Sequence, residues 1–301
     1  MTARTCRVFL RSLLLGIAWL TADAGGSTTA DAWDVKANGA KLDDATLPQA
    51  VVTERQPRPG EAAPADWQPL FNGTNLAGWK VQCKPEDRSK TYWRVEDGCI
   101  VADSMADARH DYIWLQTERE FGDFELRLKF QAFRDSPGNS GVQFRSRYDE
   151  TAGWLDGPQL DIHPPGPWRT GFIYDETRGV QKWIAPSLPK VSDARPEMAP
   201  PNLVMYYSDD TPAWNELEIS ARGTRVRAVL NGVVVRDWDG AGVLDDAKHR
   251  ERNVGVRGHL ALQIHKGDRL KMRFKDVSIR ELGETPSGSS CTLPAAASSV
   301  R

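Results

Sequence analysis

The stretch Gly157-Pro158-Gln159-Leu160-Asp161-Ile162-His163 sets an amide, a carboxylate and an imidazole at alternate positions. On a strand, alternate side chains share a face. Gln159, Asp161 and His163 then emerge together, while Leu160 and Ile162 enter a core. Gly258 to His265 repeats the pattern, with Leu260, Leu262 and Ile264 on one side and His259, Ala261, Gln263 and His265 on the other. In Asn139 to Arg147, Val142 and Phe144 point inward, and Gln143, Arg145 and Arg147 outward. Any one of these reads as an ordinary half-buried strand with a solvated outer face. All three present an amide beside an ionisable group, which together predicts a shared polar cleft.

Such a cleft has definite chemistry. An imidazole titrates near neutral pH and suits a general base, so His163 and His265 are candidates. Asp161 can orient an imidazole or hold a cation. Arg145 suits an oxyanion. Glu176 is a candidate second acid or base. Gln143, Gln159 and Gln263 offer hydrogen bonds to hydroxyls, and Trp154, Trp168, Tyr174 and Trp183 offer broad apolar faces with polar edges. Each has a plainer alternative. Asp161 can pair with Arg145 or cap a turn, Glu176 can be a loop carboxylate, and the aromatics can pack the loops. A divalent metal is open, since Asp161, His163 and His265 are acceptable ligands, though no spacing motif demands one. No other cofactor is implied.

The elements that must position these residues are strands. Phe124 to Ala132 alternates Phe124, Leu126, Leu128, Phe130 and Ala132 against Glu125, Arg127, Lys129 and Gln131, the pattern of a half-buried antiparallel strand. Asp97-Gly98 and Asn231-Gly232 are two-residue hairpin turns, between Tyr92–Glu96 and Cys99–Ala102 and between Arg225–Leu230 and Val233–Trp238. Trp214 to Ala221 and Lys271 to Leu282 read as further strands. Residues 148–201 are rich in Gly, Pro and Trp, as structured loops over a rigid scaffold often are. Short helical turns are expected only at 209–214 and 245–252. Many strands separated by turn signals predict an all-β sandwich of two antiparallel sheets spanning residues 66–283.

The 301 residues carry a formal net charge of -2, so nothing favours a nucleic-acid partner. Eleven Trp suit aromatic cores and hint at a carbohydrate surface. Residues 1–24 read as a signal peptide: Arg4, Arg7 and Arg11, an apolar run from Leu13 to Leu20, then Ala22-Asp23-Ala24. That predicts an exported, periplasmic or extracellular protein without a membrane anchor after cleavage. Residues 25–65 read as an irregular lead-in or linker and 284–301 as a disordered tail. Cys83 and Cys99 can pair in an oxidising compartment or remain two small apolar residues.

Taken in order, these signals resemble the 3-keto-disaccharide hydrolase family, also called DUF1080. The resemblance rests on Leu70-Phe71-Asn72-Gly73, Gly78-Trp79, Trp93 to Gly98 and Phe121 to Leu126. It continues through Gly138 to Val142, Gln159-Leu160-Asp161, Trp214-Asn215, Asn231-Gly232, Gly258 to His265 and Phe274 to Val277. It implies a concanavalin-like jelly roll and action on 3-keto-glycosides: abstraction of the C2 proton, loss of the aglycone from C1, then hydration. Many family members carry a Glu in the strand that here reads Gly157-Pro158-Gln159, so a role resting on it does not transfer. Conventional glycosidases flank the bond with two carboxylates. Gln159-x-Asp161-x-His163 holds one, which disfavours direct displacement. A non-catalytic carbohydrate-binding module on the same fold is the alternative. The residues favour His265 as base, with Asp161 orienting it across the sheet.

Overall fold

Period-two alternation needs a second apolar layer to cover it, and two sheets supply this for each other. The computed structural model describes residues 66–283; the leader, lead-in and tail readings fall outside the described residues. In chain order the first strands are β1 (Gln68–Pro69), β2 (Trp79–Cys83), β3 (Trp93–Glu96), β4 (Cys99–Asp103), β5 (Ile113–Phe121) and β6 (Phe124–Ala132). Next come β7 (Ser140–Asp149), β8 (Trp154–Asp156), β9 (Pro158–Ile162), β10 (Ile173–Asp175), β11 (Lys182–Ala185) and β12 (Ser187–Leu188). The last are β13 (Asn215–Arg222), β14 (Arg225–Leu230), β15 (Val233–Asp239), β16 (Gly258–Ile264) and β17 (Lys271–Glu281).

One sheet has the order β15-β14-β13-β6-β17-β4-β3, with β1 on β17. The other runs β12-β11-β10-β9-β7-β16-β5-β2, with β8 folded onto β7. The strands pair antiparallel throughout, and the fold is a concanavalin-like jelly-roll sandwich. Phe124, Leu126, Leu128 and Phe130 of β6 meet Val142, Phe144, Leu160, Ile162, Leu262 and Ile264 of the second sheet in one core. Truncating one such buried Phe costs about 3–5 kcal/mol.

Both hairpin turns take the expected backbone: Asp97 and Gly98 have φ of 50° and 70°, Asn231 and Gly232 50° and 79°. A helix α1 (Ala247–Arg252) forms where one was expected; the Asp246 side chain accepts from the Lys248 and His249 backbone N–H groups, and Asn253 closes it at φ 56°. Residues 209–214 form turns and bends instead, because Pro212 disfavours helical backbone at Thr211. Cys83 and Cys99 are both buried free thiols, one in each sheet, so they are the small apolar residues of the two readings.

Candidate functional site

The second sheet turns its outer face to a cleft of about 470 Å³. Alternation delivers Gln159 and Asp161 from β9, with His163 just beyond it, and Tyr174 from β10 opposite Gln159. Trp154, Trp183, Glu176 and His265 complete the set that the sequence marked and the fold brings together. Gly141 is a precondition: a Cβ there would lie 2.6 Å from Cδ of Gln159, so only glycine leaves this amide its place.

Other marked residues are elsewhere. Arg145 is fully buried and lies outside the cleft. Its strand carries one extra residue between the pairs Gln143↔Ala261 and Ser146↔His259, and Arg145 takes φ 51° there. That bulge breaks the alternation. The guanidinium turns to the Gly122 (2.8 Å), Gly255 (3.3 Å) and Gly223 carbonyls and to Asp123 Oδ1 at 2.9 Å. Burial lowers its pKa to about 10, against the pull of Asp123. It is a structural clamp, and its expected role at an oxyanion is corrected.

Gln143 and Gln263 lie on the expected face but do not line the cleft. Strand β8 folds over Gln143: Leu155 packs on Trp114 and Ala261, and its carbonyl accepts from Gln143 Nε2 at 3.1 Å, while Gln263 is buried beside Glu176. Trp168 also misses the cleft, lying edge-on to Phe172 with ring centroids 6.1 Å apart. Asp161 pairs with neither Arg145 nor an imidazole. Its Oδ2 accepts from Arg169 Nε at 2.7 Å. Among the described residues no three His, Cys, Asp or Glu side chains form a metal-holding group, so Asp161, His163 and His265 do not assemble as ligands.

Among the cleft residues that were not marked are Tyr112, Asn139, Arg169 and Asp268. Two of them frame His265. Asp268, three residues on across a turn, brings Oδ2 to 3.5 Å from His265 Nδ1, and Nε2 lies 3.1 Å from the Tyr112 hydroxyl. Burial opposes the charged ring, but the Asp268 carboxylate, backed by Glu176 and Asp161, outweighs it and raises the pKa above the ordinary 6.5. Burial, with the charges of Glu176 and Tyr174, holds the Tyr112 phenol well above its usual range, so it keeps its proton. Period-two reading of Tyr112, Trp114 and Gln116 against Ile113 and Leu115 would have placed Tyr112 on the cleft side.

His163 differs from His265. Its Nδ1 accepts the Gly166 N–H at 2.9 Å, which leaves the hydrogen of a neutral ring on Nε2. Burial, then the charge of Arg169, lowers its pKa. Glu176 is the cleft's unusual carboxyl. It is 5% exposed, and burial pushes its pKa up to about 8, with Asp161 and Asp175 adding to the rise and His265 and the Gln263 amide opposing it. Its backbone is fixed: N–H donates to the Gly157 carbonyl at 3.0 Å, and its carbonyl accepts from Trp154 Nε1 at 2.7 Å. The arrangement thus holds a proton-bearing carboxyl, an imidazole backed by a carboxylate, and a protonated phenol between aromatic walls. These are the parts of general acid–base chemistry.

A glycosyl hydrolase from Parabacteroides distasonis, so named provisionally, is 18% identical over 72% of this chain and 94% of its own, with a TM-score of 0.46. A protein of unknown function with a galectin-like fold from Bacillus subtilis is 12% identical over 75% and 99%, TM-score 0.47. The carbohydrate binding module CBM66 from Bacillus subtilis is 14% identical over 71% and 100%, TM-score 0.43. No curated protein matches the chain. The family model described as the 3-keto-alpha-glucoside-1,2-lyase-like domain matches residues 66–280, and the chain belongs to that family.

Proposed function

We propose that the protein is an exported enzyme that cleaves 3-keto-glycosides by elimination and hydration. One observation carries this reading most: the His265 imidazole and the Tyr112 hydroxyl stand 3.1 Å apart in the cleft. Elimination needs a base at C2 and a hydrogen-bond donor at the oxygen on C3. Those targets sit on adjacent carbons, so their partners must be near neighbours too.

His265 Nε2 takes the C2 proton while Asp268 holds the opposite nitrogen. The electron pair moves onto the C3 oxygen, where the Tyr112 hydroxyl, turning from Nε2, donates to the enolate. Collapse of the enolate breaks the C1–O bond, and Glu176 gives its proton to the departing aglycone. Water then adds across C1 and C2: its hydroxyl goes to C1, its proton restores the Glu176 acid, and the His265 imidazolium, after its N–H has exchanged with solvent, delivers a proton to C2, giving the free 3-keto sugar. The raised pKa of Glu176 suits it to carry a proton near neutral pH. Tyr174, Trp183 and Trp154 line the walls where sugar rings pack. Gln159, Asn139 and the N–H of His163 face hydroxyls. Asp161, neutralised by Arg169, anchors the floor.

The test is turnover of a small panel of 3-keto-glycosides in D₂O. Elimination places deuterium at C2 of the released sugar. Binding without turnover would assign the chain to the carbohydrate-binding alternative, and cleavage of an unoxidised glycoside without exchange at C2 would support direct hydrolysis instead. Export rests on the basic start and short apolar run of residues 1–24. A mature protein that begins at Met1 would count against it.

A further inference from the structure

The proposed reaction leaves one buried imidazole unused. His249, in α1, is fully buried. Its Nε2 lies 3.0 Å from Asp175 Oδ2 and 3.4 Å from Thr177 Oγ1, and its Nδ1 lies 2.9 Å from Asp246 Oδ1. The turn after the helix closes tightly on the ring: a Cβ at Gly255 would stand 2.1 Å from the Leu244 carbonyl oxygen and 3.0 Å from His249 Cδ2.

Asp175 is the residue between Tyr174 and Glu176. Along an extended chain, alternate side chains point to opposite sides. Tyr174 and Glu176 line the cleft, and Asp175, itself fully buried, points away from it into His249. Two residues beyond Glu176, Arg178 is fastened to Asp156 and to Asp149, the latter at 2.7 Å. Charged pairs therefore hold the chain on both sides of Glu176. A buried charge pair adds little net stability over well-packed apolar residues of the same volume. Its distinctive effect is directional, since it fixes which way the backbone is turned.

We propose that His249 is a positioning residue for Glu176: acting through Asp175, it sets the turn of the chain that aims the Glu176 carboxyl into the cleft. The proposal rests on the reading above only for the catalytic part that Glu176 plays.

The experiment compares wild type with His249→Leu, which removes the tie, and His249→Gln, which keeps a donor for Asp175. Two quantities are read: the carbon-13 titration of the Glu176 carboxyl, assigned with Glu176→Gln, and kcat against KM on a 3-keto-glycoside. In His249→Leu the Glu176 midpoint is expected to move. A small misplacement of a reacting group costs up to about 10²-fold, so kcat should fall roughly 10- to 100-fold with KM within about twofold. His249→Gln should restore both. Should an uncompensated Asp175 unfold His249→Leu, the pair Asp175→Asn and Asp175→Asn/His249→Leu makes the same comparison without that charge. An unmoved midpoint and unchanged kcat in a folded variant overturn the proposal, as does a Gln variant that restores neither. If wild type does not turn over keto-glycosides, the proposed function falls, and the carboxyl titration alone decides the role of His249.

Discussion

Asp268 Oδ2 stands 3.5 Å from His265 Nδ1 and accepts the Asn139 backbone N–H at 2.8 Å. The carboxylate is therefore fixed by the loop entering β7 while it faces the imidazole that follows β16. Its charge is what outweighs burial at His265 and keeps the ring's pKa raised.

That relationship predicts a pH effect. A general base works in its neutral form, so the acid limb of kcat/KM follows the His265 pKa. Asp268→Asn removes the largest influence that raises it. The limb should move to lower pH, and the plateau should fall by about tenfold or more as basicity is lost. A limb that stays in place would show that another group is titrating.

Removing the imidazole itself is the stronger test. His265→Ala should lose about 10²–10⁴-fold in kcat, the usual range for a positioned base. The side chain is 36% exposed, so little packing is lost and the melting temperature should stay near that of wild type. Incorporation of deuterium at C2 from D₂O should fall in step with turnover.

Arg145 predicts the opposite behaviour. It bonds three backbone carbonyls and Asp123 in the interior and touches no cleft residue. Arg145→Met leaves those acceptors without their partner, a loss of about 3–5 kcal/mol for a broken buried pair. Denaturant titration should register that loss, while kcat and KM per folded molecule stay at wild-type values. A selective rise in KM would return Arg145 to the site.

Alternation along β6, β9 and β16, and the glycine-containing turns, made the sandwich legible in the sequence. Each uses a local rule with one answer, since a strand has two faces and one must be covered. The cleft was legible where such strands reach it undisturbed, as at Gln159, Asp161 and His265. It was not legible at Arg145, where one extra residue reverses the facing, because a bulge leaves no mark in the hydrophobic pattern. Gln143 was faced correctly and then covered by β8, a return of three residues whose docking depends on Leu155 finding Trp114. Asp268 and Arg169 lie in turns, where no period exists to say which way a side chain points.

Gly141 offers a test of the floor. A methyl group there would stand 2.6 Å from Cδ of Gln159, so the buried amide must move. Gly141 lies in β7, and its φ is not positive, so alanine fits the backbone itself. Gly141→Ala should therefore fold and raise KM several-fold, with a smaller change in kcat. Gln159→Ala should raise KM similarly, and the double variant should add little, since both act on one amide. Additive effects would separate Gly141 from Gln159.

Glu176 carries a signature that needs no substrate. Its carboxyl has a pKa of about 8 in the folded protein against an ordinary 4.5. A raised folded pKa favours the protonated fold, so the stability contributed is present below the unfolded value and is lost as pH rises through the folded one. Between pH 4.5 and about 8 the unfolded chain releases this proton and the folded protein does not. Glu176→Gln cannot ionise and escapes the penalty. The melting temperatures of wild type and variant should differ least near pH 4.5 and diverge up to pH 8, with the variant higher. Each pKa unit corresponds to about 1.4 kcal/mol, and a domain of this size gains roughly 2–4 °C per kcal/mol, so a gap on the order of 10 °C is expected by pH 8. Glu176 also supports the charge on His265, so the same pair is compared in a His265→Ala background, where the difference between the two curves reports Glu176. A gap that stays constant from pH 4.5 to 8 would mean that Glu176 is ionised throughout, and the proton assigned to the leaving group would have to come from elsewhere.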